Sequence, residues 1–498
     1  MANRLLALAL GGLLALSLWP HAAFADTTAE EVEEDNSLAS SLVTPHKPWA
    51  KGHAAGPVRA LVFVYTGPYE GTWEDTGTRV RHVVELRQRF DLQADAVLFC
   101  GKGDKWVFHG QRLGEERAER LLATPYPLYI IAGFPMAKLP AKIQYLILKQ
   151  VAEGAGLLCC GPGAADYMVA KRLLTPTPPA LVQGLPMLDG KPAAQMVSAY
   201  RLRKGRGVWL KYGAQALVPT PEFTRRGLAE YDYWMLLVGR AALWAASREG
   251  DVAVSSVLGD QPFAARPGTA GEIVLTAAQP LQATVALELR RACDGAAVPL
   301  PEQKIALTPE RPARVPAAIP RLRAGDYFLD VIVRSKRGVE ACGAGNVTIA
   351  SDFGIEKVEL SRSFVERGQA IAAQVALRGE APAGSQVRLR WRDSYDRVLK
   401  QQDWPAARNA PPPFEYVPDA FATIEMRAEA ALLAGGAEVE MKDASFTVPK
   451  RRQGQFNFVM WDAGLDALGF HAWRQMQDAG YNVCLIGSMG KARKQPAV

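Results

Sequence analysis

Cysteine and histidine are scarce in this chain of 498 residues, with six of each. Six cysteines in so long a chain are too few for a disulfide-built scaffold, and their spacing matches no zinc-ligand pattern, so no metal site is expected. A concentrated block of positive charge is missing too. The net charge of +7 is spread along the chain, and segments such as Arg201-Leu202-Arg203-Lys204 are interleaved with apolar residues. That pattern reads as solvated helix faces and not as a nucleic-acid surface. The apolar run from Leu5 to Trp19 falls short of the roughly 20 residues that a bilayer crossing needs. It follows Arg4 and exits through Ala23-Phe24-Ala25, the small-x-small form of a signal-peptide cleavage site. Cleavage is expected after Ala25, giving a secreted or periplasmic protein with no stable membrane insertion. Since the first cysteine is Cys100, a lipoprotein anchor has no support.

What is present is enough apolar side chain, 49% of the sequence, to build several cores, and a chain of this length implies more than one domain. Residues 26–56 are acidic at first (Glu30, Glu31, Glu33, Glu34, Asp35), then Ser-rich, then punctuated by Pro and Gly, which reads as a linker. From 57 to 250, short apolar strands alternate with amphipathic helices. Val58 to Tyr65, Ala94 to Cys100, Leu128 to Ala132, Leu157 to Cys160 and Gly207 to Tyr212 are the strands. Helices are expected over Thr78 to Phe90, Glu115 to Leu122, Leu139 to Val151 and Tyr231 to Arg248. Alternation of this kind produces a parallel sheet covered on both faces, here a flavodoxin-like α/β domain. Past Asp251 the apolar period becomes two, as in Val285, Leu287, Leu289 and in Tyr327, Leu329, Val331, Val333. Two blocks of this kind, 251–350 and 351–449, fit two immunoglobulin-like β-sandwiches. Residues 450–498 begin a βαβ unit, with strands at Phe456 to Trp461 and Tyr481 to Ile486 around a helix at Leu468 to Ala479. A parallel barrel needs about 250 residues. The C-terminal domain is therefore expected to be a truncated start of a TIM-type barrel.

The run Tyr129-Ile130-Ile131-Ala132-Gly133, the helix to Val151, Glu153-Gly154-Ala155-Gly156-Leu157-Leu158, the Gly205-Arg206-Gly207-Val208 strand and the helix end from Ala241 to Glu249 resemble the class I glutamine-amidotransferase-like superfamily in its non-catalytic branch. The resemblance covers nearly all of 57–250. An active member needs a cysteine lifted from its strand in a G-x-C-x-G turn, with a histidine as base and a glutamate two residues after it. The corresponding turn here is Leu158-Cys159-Cys160-Gly161-Pro162-Gly163, which lacks a glycine two residues before either cysteine, and Lys211 to Glu222 contains no histidine. His82 and His109 are the only histidines in the domain, and a helix-face or surface role suits both. No catalytic residue and no cofactor is expected. Phe456-Asn457-Phe458-Val459-Met460-Trp461 with Ala479-Gly480-Tyr481-Asn482-Val483 resembles the opening of a β-galactosidase-like glycoside hydrolase barrel. Asp462 would line its sugar site or cap a turn.

Ligands of open parallel sheets sit at the carboxyl ends of the strands. The loop from Thr66 to Asp75 is the first candidate there. Tyr69 and Trp73 are suited to stack on a sugar face, and Glu70 and Glu74 to accept hydroxyl hydrogen bonds; the alternative is an ordinary solvated loop. Gly161 and Gly163 form a second candidate, a strand-to-helix turn able to present N–H groups to an anion. Cys293 and Cys342 fall at strand ends in the first sandwich, so a disulfide between them and two free thiols are both open. The expected function is that of the N-terminal portion of an exported carbohydrate-active protein, itself non-catalytic, whose partner is a glycan or polysaccharide. The alternatives are a secreted interaction protein without catalysis and an active amidotransferase. Oligomeric state is not legible.

Overall fold

The computed structural model describes residues 28–38, 42–68, 73–163, 173–221, 225–259, 263–265, 269–406, 412–449, 456–460, 468 and 475–484. β-Sheet is the predominant secondary structure of the described residues, arranged as several sheets in a sandwich-rich multidomain assembly. Eight strands come first: β1 (Val58–Tyr65), β2 (Leu92–Lys102), β3 (Lys105–Phe108), β4 (Leu128–Ala132), β5 (Gly156–Cys160), β6 (Leu174–Thr175), β7 (Val197–Leu202) and β8 (Gly205–Leu210). They form one sheet in the order β3-β2-β1-β4-β5-β8-β7-β6. The central five, β2-β1-β4-β5-β8, run parallel; β3 is an antiparallel edge on one side, and on the other β7 is antiparallel to β8 and to the short edge strand β6. β1, β4 and β5 are nearly continuous apolar runs because both of their faces are covered. On one face lie α2 (Trp73–Arg89) and, near the end of the domain, the long helix Arg225–Ala245; on the other lie α3 (Arg112–Leu122) and α4 (Ala141–Glu153). Two single-turn helices, α5 (Pro179–Val182) and α6 (Ala193–Met196), precede the long helix, which is α7.

Of residues 26–56, expected to be a linker, the described stretches 28–38 and 42–56 form a strap over this sheet. Ala29–Asp35 is a helix, α1, started by a capping box in which Thr28 Oγ1 accepts from Glu31 N (3.1 Å) and Glu31 accepts from Thr28 N (2.6 Å). Part of its acidic run finds partners while Glu30 and Glu34 stay exposed: Glu33 pairs with Arg117 and Arg120, and Asp35 with His109 at 2.5 Å. The strap then buries Trp49 completely, its indole N–H donating to Asp232 O at 3.0 Å. Composition misled here because the anchors are single residues without a period, and their partners are far away in sequence.

The first sandwich packs the sheet β10-β17-β16-β12-β13, with β14 also paired to β12, against β15-β11-β9. Its strands are β9 (Val252–Val257), β10 (Phe263–Ala265), β11 (Ala270–Ala277), β12 (Leu281–Arg291), β13 (Ala297–Pro299), β14 (Gln303–Leu307), β15 (Ala313–Ala318), β16 (Gly325–Ser335) and β17 (Gly338–Ile349). The second packs β18 (Gly354–Leu360), β19 (Ile371–Arg378) and β22 (Phe414–Tyr416) against β20 (Gln386–Asp393), β21 (Val398–Pro405), β23 (Glu425–Ala434) and β24 (Ala437–Thr447) around fully buried Trp391. In β16 the alternate residues Tyr327, Leu329, Val331 and Val333 face the sandwich interior, as the period of two predicts. Their neighbours Phe328, Asp330 and Ile332 are buried as well, because the outer face of this sheet packs on α7. At the C-terminal end, β25 (Val459–Met460) pairs in parallel with β26 (Val483–Cys484), and 475–478 is helical between them. Asp462 and the signal segment lie outside the described residues. No helix among the described residues is long and apolar enough to cross a membrane.

Cys293 and Cys342 are both free thiols, which closes the open question of a bridge. Ala292 N donates to Asp326 O, so Cys293 sits by one end of β16, whereas Cys342 pairs in register with Ile332, six positions along. At about 3.4 Å per residue that separates them by roughly 20 Å, well beyond the ~7 Å limit between bridgeable Cα atoms. Thiol titration of the denatured, unreduced protein is expected to find both cysteines reactive.

Candidate functional site

At the carboxyl ends of the parallel strands the described residues leave no exposed thiol. Cys160 is the last residue of β5, in register with both Ala132 and Leu210, so no elbow lifts it from the sheet. It is wholly buried, and that burial pushes its thiol up to about 12, with only partial relief from a hydrogen bond with Tyr212. A thiol so placed is protonated at neutral pH and is no nucleophile. Burial likewise holds the Tyr212 hydroxyl far above its usual range, and it donates to Leu217 O. His109 is occupied with Asp35, and His82 contacts the Tyr231 hydroxyl at 2.7 Å.

The glycines at these strand ends serve the chain itself. Gly133 (φ 91°) and Gly161 (φ 94°) adopt left-handed conformations, and a Cβ would stand 2.4 Å from Gln215 backbone at the first and 2.6 Å from Ala214 O at the second. The loop after β8 therefore lies directly over the strand ends. Gly161 N–H, expected to face an anion, instead donates to Leu210 O at 3.0 Å, which continues the sheet. Gly163 (φ 63°) stands in the turn beyond it, and the residues following lie outside the described ones. Of the first candidate loop, Tyr69 and Glu70 are outside the described residues. The backbone of Trp73 and Glu74 belongs not to a loop but to the first turn of α2. The expected start at Thr78 came from reading only the apolar stripe.

The largest constellation of charged side chains lies instead where α7 meets the first sandwich. Asp232 on α7 accepts from Arg89 Nε (2.7 Å) and from Arg290 Nη1 (2.5 Å). Arg290 also reaches Asp330 (3.1 Å), which Lys47 of the strap approaches at 3.2 Å while holding Glu288 at 2.5 Å. Tyr233 stacks on Phe328, with ring centroids 3.9 Å apart, and its hydroxyl donates to Asp330 at 2.8 Å. Burial pushes the Asp330 carboxyl up, and Arg290 and Lys47 pull it part of the way back. This network clasps the strap, α2 and α7 beside the eight-stranded sheet, and the sandwich together.

Above the clasp opens a cavity of about 750 Å³, walled by Pro45, Leu228, Ala286, Leu300 and Leu468, with Arg334 and Glu302 also lining it. Lys47, Arg89 and Arg290 are matched by Asp232, Glu288 and Asp330 on its floor, and Arg334, Glu302 and Asp294 leave the whole lining one acid in excess. Donors and acceptors alternate there, and each hydroxyl of a polyol both donates and accepts. Balanced charge gives a phosphate no comparable advantage. No group of three or more His, Cys, Asp or Glu side chains among the described residues is placed to hold a metal ion. Sequence reasoning missed this site because its members come from five separate segments: the strap, α2, α7, β12 and β16. Its one local signal was the charged positions Glu288, Arg290 and Asp330 within otherwise apolar strands.

No protein-family model matches the chain, and no curated protein matches it. Solved structures with local similarity include a tetra-tandem repeat from the extending region of a large adhesion protein, at 13% identity and TM-score 0.18, covering 40% of this chain and 50% of that one. A red sea bream transglutaminase matches at 10% identity and TM-score 0.21, over 43% and 34% of the two chains. The CARDB domain of a Pyrococcus furiosus protein, in complex with di-metal ions, matches at 11% identity and TM-score 0.15, over 18% and 83%. This chain thus spans half of the adhesion repeat and a third of the transglutaminase. Likenesses this slight decide neither activity nor ligand.

Proposed function

We propose that this chain is an exported, non-catalytic, glycan-binding assembly of a carbohydrate-active protein, with the cavity between α7 and the first sandwich as its binding site. The observation that carries the reading is the charge-balanced floor of alternating donors and acceptors, which suits a neutral polyol. The parallel order β2-β1-β4-β5-β8 is 2-1-3-4-5 in chain order, the flavodoxin-like winding, and supports an amidotransferase-like domain. Its sealed thiol supports the non-catalytic branch. The Ala23-Phe24-Ala25 exit supports export, and the parallel pair β25–β26 supports a glycoside-hydrolase-like unit at the C-terminal end. An active amidotransferase is disfavoured, since glutamine would meet neither a free thiolate nor a base.

A neutral oligosaccharide that binds the folded chain and not the unfolded one stabilises it by about 2.7 kcal/mol at 100 times its Kd, a rise of roughly 5–10 °C in Tm. Thermal denaturation with a panel of neutral oligosaccharides is expected to show such a rise for at least one. A panel without any rise contradicts the reading.

A further inference from the structure

The second sandwich carries an exposed pair of aromatic rings that its own core does not use. Tyr395 in the β20–β21 turn is 71% exposed and Phe421 in the β22–β23 connection is 76% exposed. Both are held on one tip. Buried Asp393 accepts from Tyr395 N and Arg397 N (3.0 Å each) and from Arg397 Nε (2.6 Å). Arg397 then donates to Phe421 O at 3.3 Å, its guanidinium lying 5.6 Å from the Tyr395 ring centre. A second tie runs from Ser394 N to Thr423 Oγ1 at 3.1 Å. A carboxylate 1% exposed, engaged wholly in shaping a surface turn, fixes how the rings are presented.

We propose that this tip is a stacking platform for a neutral polysaccharide, with sugar faces laid on Tyr395 and Phe421. Size decides against a second copy or another folded protein: two rings of about 150–250 Å² each fall well short of the roughly 800 Å² per partner that a stable interface buries. Charge decides against an anionic membrane, because the cations of the tip are already engaged. Arg397 pairs with Asp393, Arg427 with Asp396, and Arg392 with Glu429 and the Asp396 carbonyl. A flat apolar sugar face needs only a ring of its own size, and the polar rim serves its hydroxyls.

The test is affinity electrophoresis of the intact chain through gels containing soluble xylan, mixed-linkage β-glucan or galactomannan. At least one is expected to retard the wild type and a Tyr145→Ala control, whose substituted ring is exposed on α4. The Tyr395→Ala/Phe421→Ala variant is expected to lose about tenfold or more in apparent affinity. Both rings are exposed, so the fold is expected to persist. Absence of retardation in all three gels, or full retardation of the double variant, overturns the proposal. It is equally overturned if the double substitution instead abolishes phosphatidylcholine-vesicle binding or self-association in sedimentation. The cavity beside α7 is separate, and its thermal shift with oligosaccharides is expected to survive in the double variant, so the two readings fail independently.

Discussion

Asp232→Ala is expected to destabilise the protein by about 3–5 kcal/mol, because it leaves Arg89 and Arg290 buried without the carboxylate they share. The loss is larger than that of an ordinary surface ion pair because the Arg89 side chain is 2% exposed and that of Arg290 10%, so solvent screens the pairs little. The same carboxylate also accepts from Lys47 N, and removing it loosens strap, α7 and sandwich at once. Denaturant unfolding should show a fall in midpoint and a separation of the α/β and sandwich transitions. Asp403→Ala, which breaks the more exposed pair with Arg388, serves as the comparison and should cost no more than about 1 kcal/mol. Equal effects of the two substitutions would contradict the clasp.

Acid sensitivity centred on His82 is the second large effect. The ring is fully buried against Tyr231, and desolvation chiefly, despite nearby Glu85, lowers its pKa from 6.5 to about 3. Its Nε2 has no hydrogen-bond partner among the described residues, so the neutral form is the one the fold accepts. Below pH 6.5 the unfolded chain takes up a proton here that the folded chain refuses. Stability from this site is therefore complete above pH 6.5 and is lost as pH falls toward 3, amounting to about 3 kcal/mol by pH 4. Asp330, whose carboxyl burial raises, acts in the opposite direction, contributing stability at low pH that is lost as pH rises. Comparing His82→Leu with wild type cancels Asp330. The difference in unfolding free energy between them should shrink or reverse by that amount from pH 7 to pH 4; a constant difference would contradict the account.

Elements whose burial repeats along the chain were legible in advance. The apolar runs of β1, β4 and β5 and the alternating residues of β12 and β20 announced buried strands and a sandwich-rich, multidomain chain. Features made by pairing across the chain were not. Lys47 meets Glu288 across 241 positions and Arg89 meets Asp232 across 143, and a charged residue beside apolar neighbours reads as solvated until its partner is known. The strap failed for this reason. Gly161 failed for another: the glycine signalled a special backbone conformation correctly, but its cause was the loop at Ala214 and not a ligand. Trp391 and the clasp show the contrast, since the first follows from a period of two and the second from none.

Isothermal titration of the wild type and of Ala286→Trp, using the neutral oligosaccharide that raises Tm most, tests the proposed site most directly. Ala286 lines the cavity on β12 but takes no part in the clasp, so an indole there fills the space above the floor without removing a charge. The account predicts a loss of about tenfold or more in affinity with the clasp intact. Unchanged affinity in Ala286→Trp would place the glycan elsewhere and contradict it.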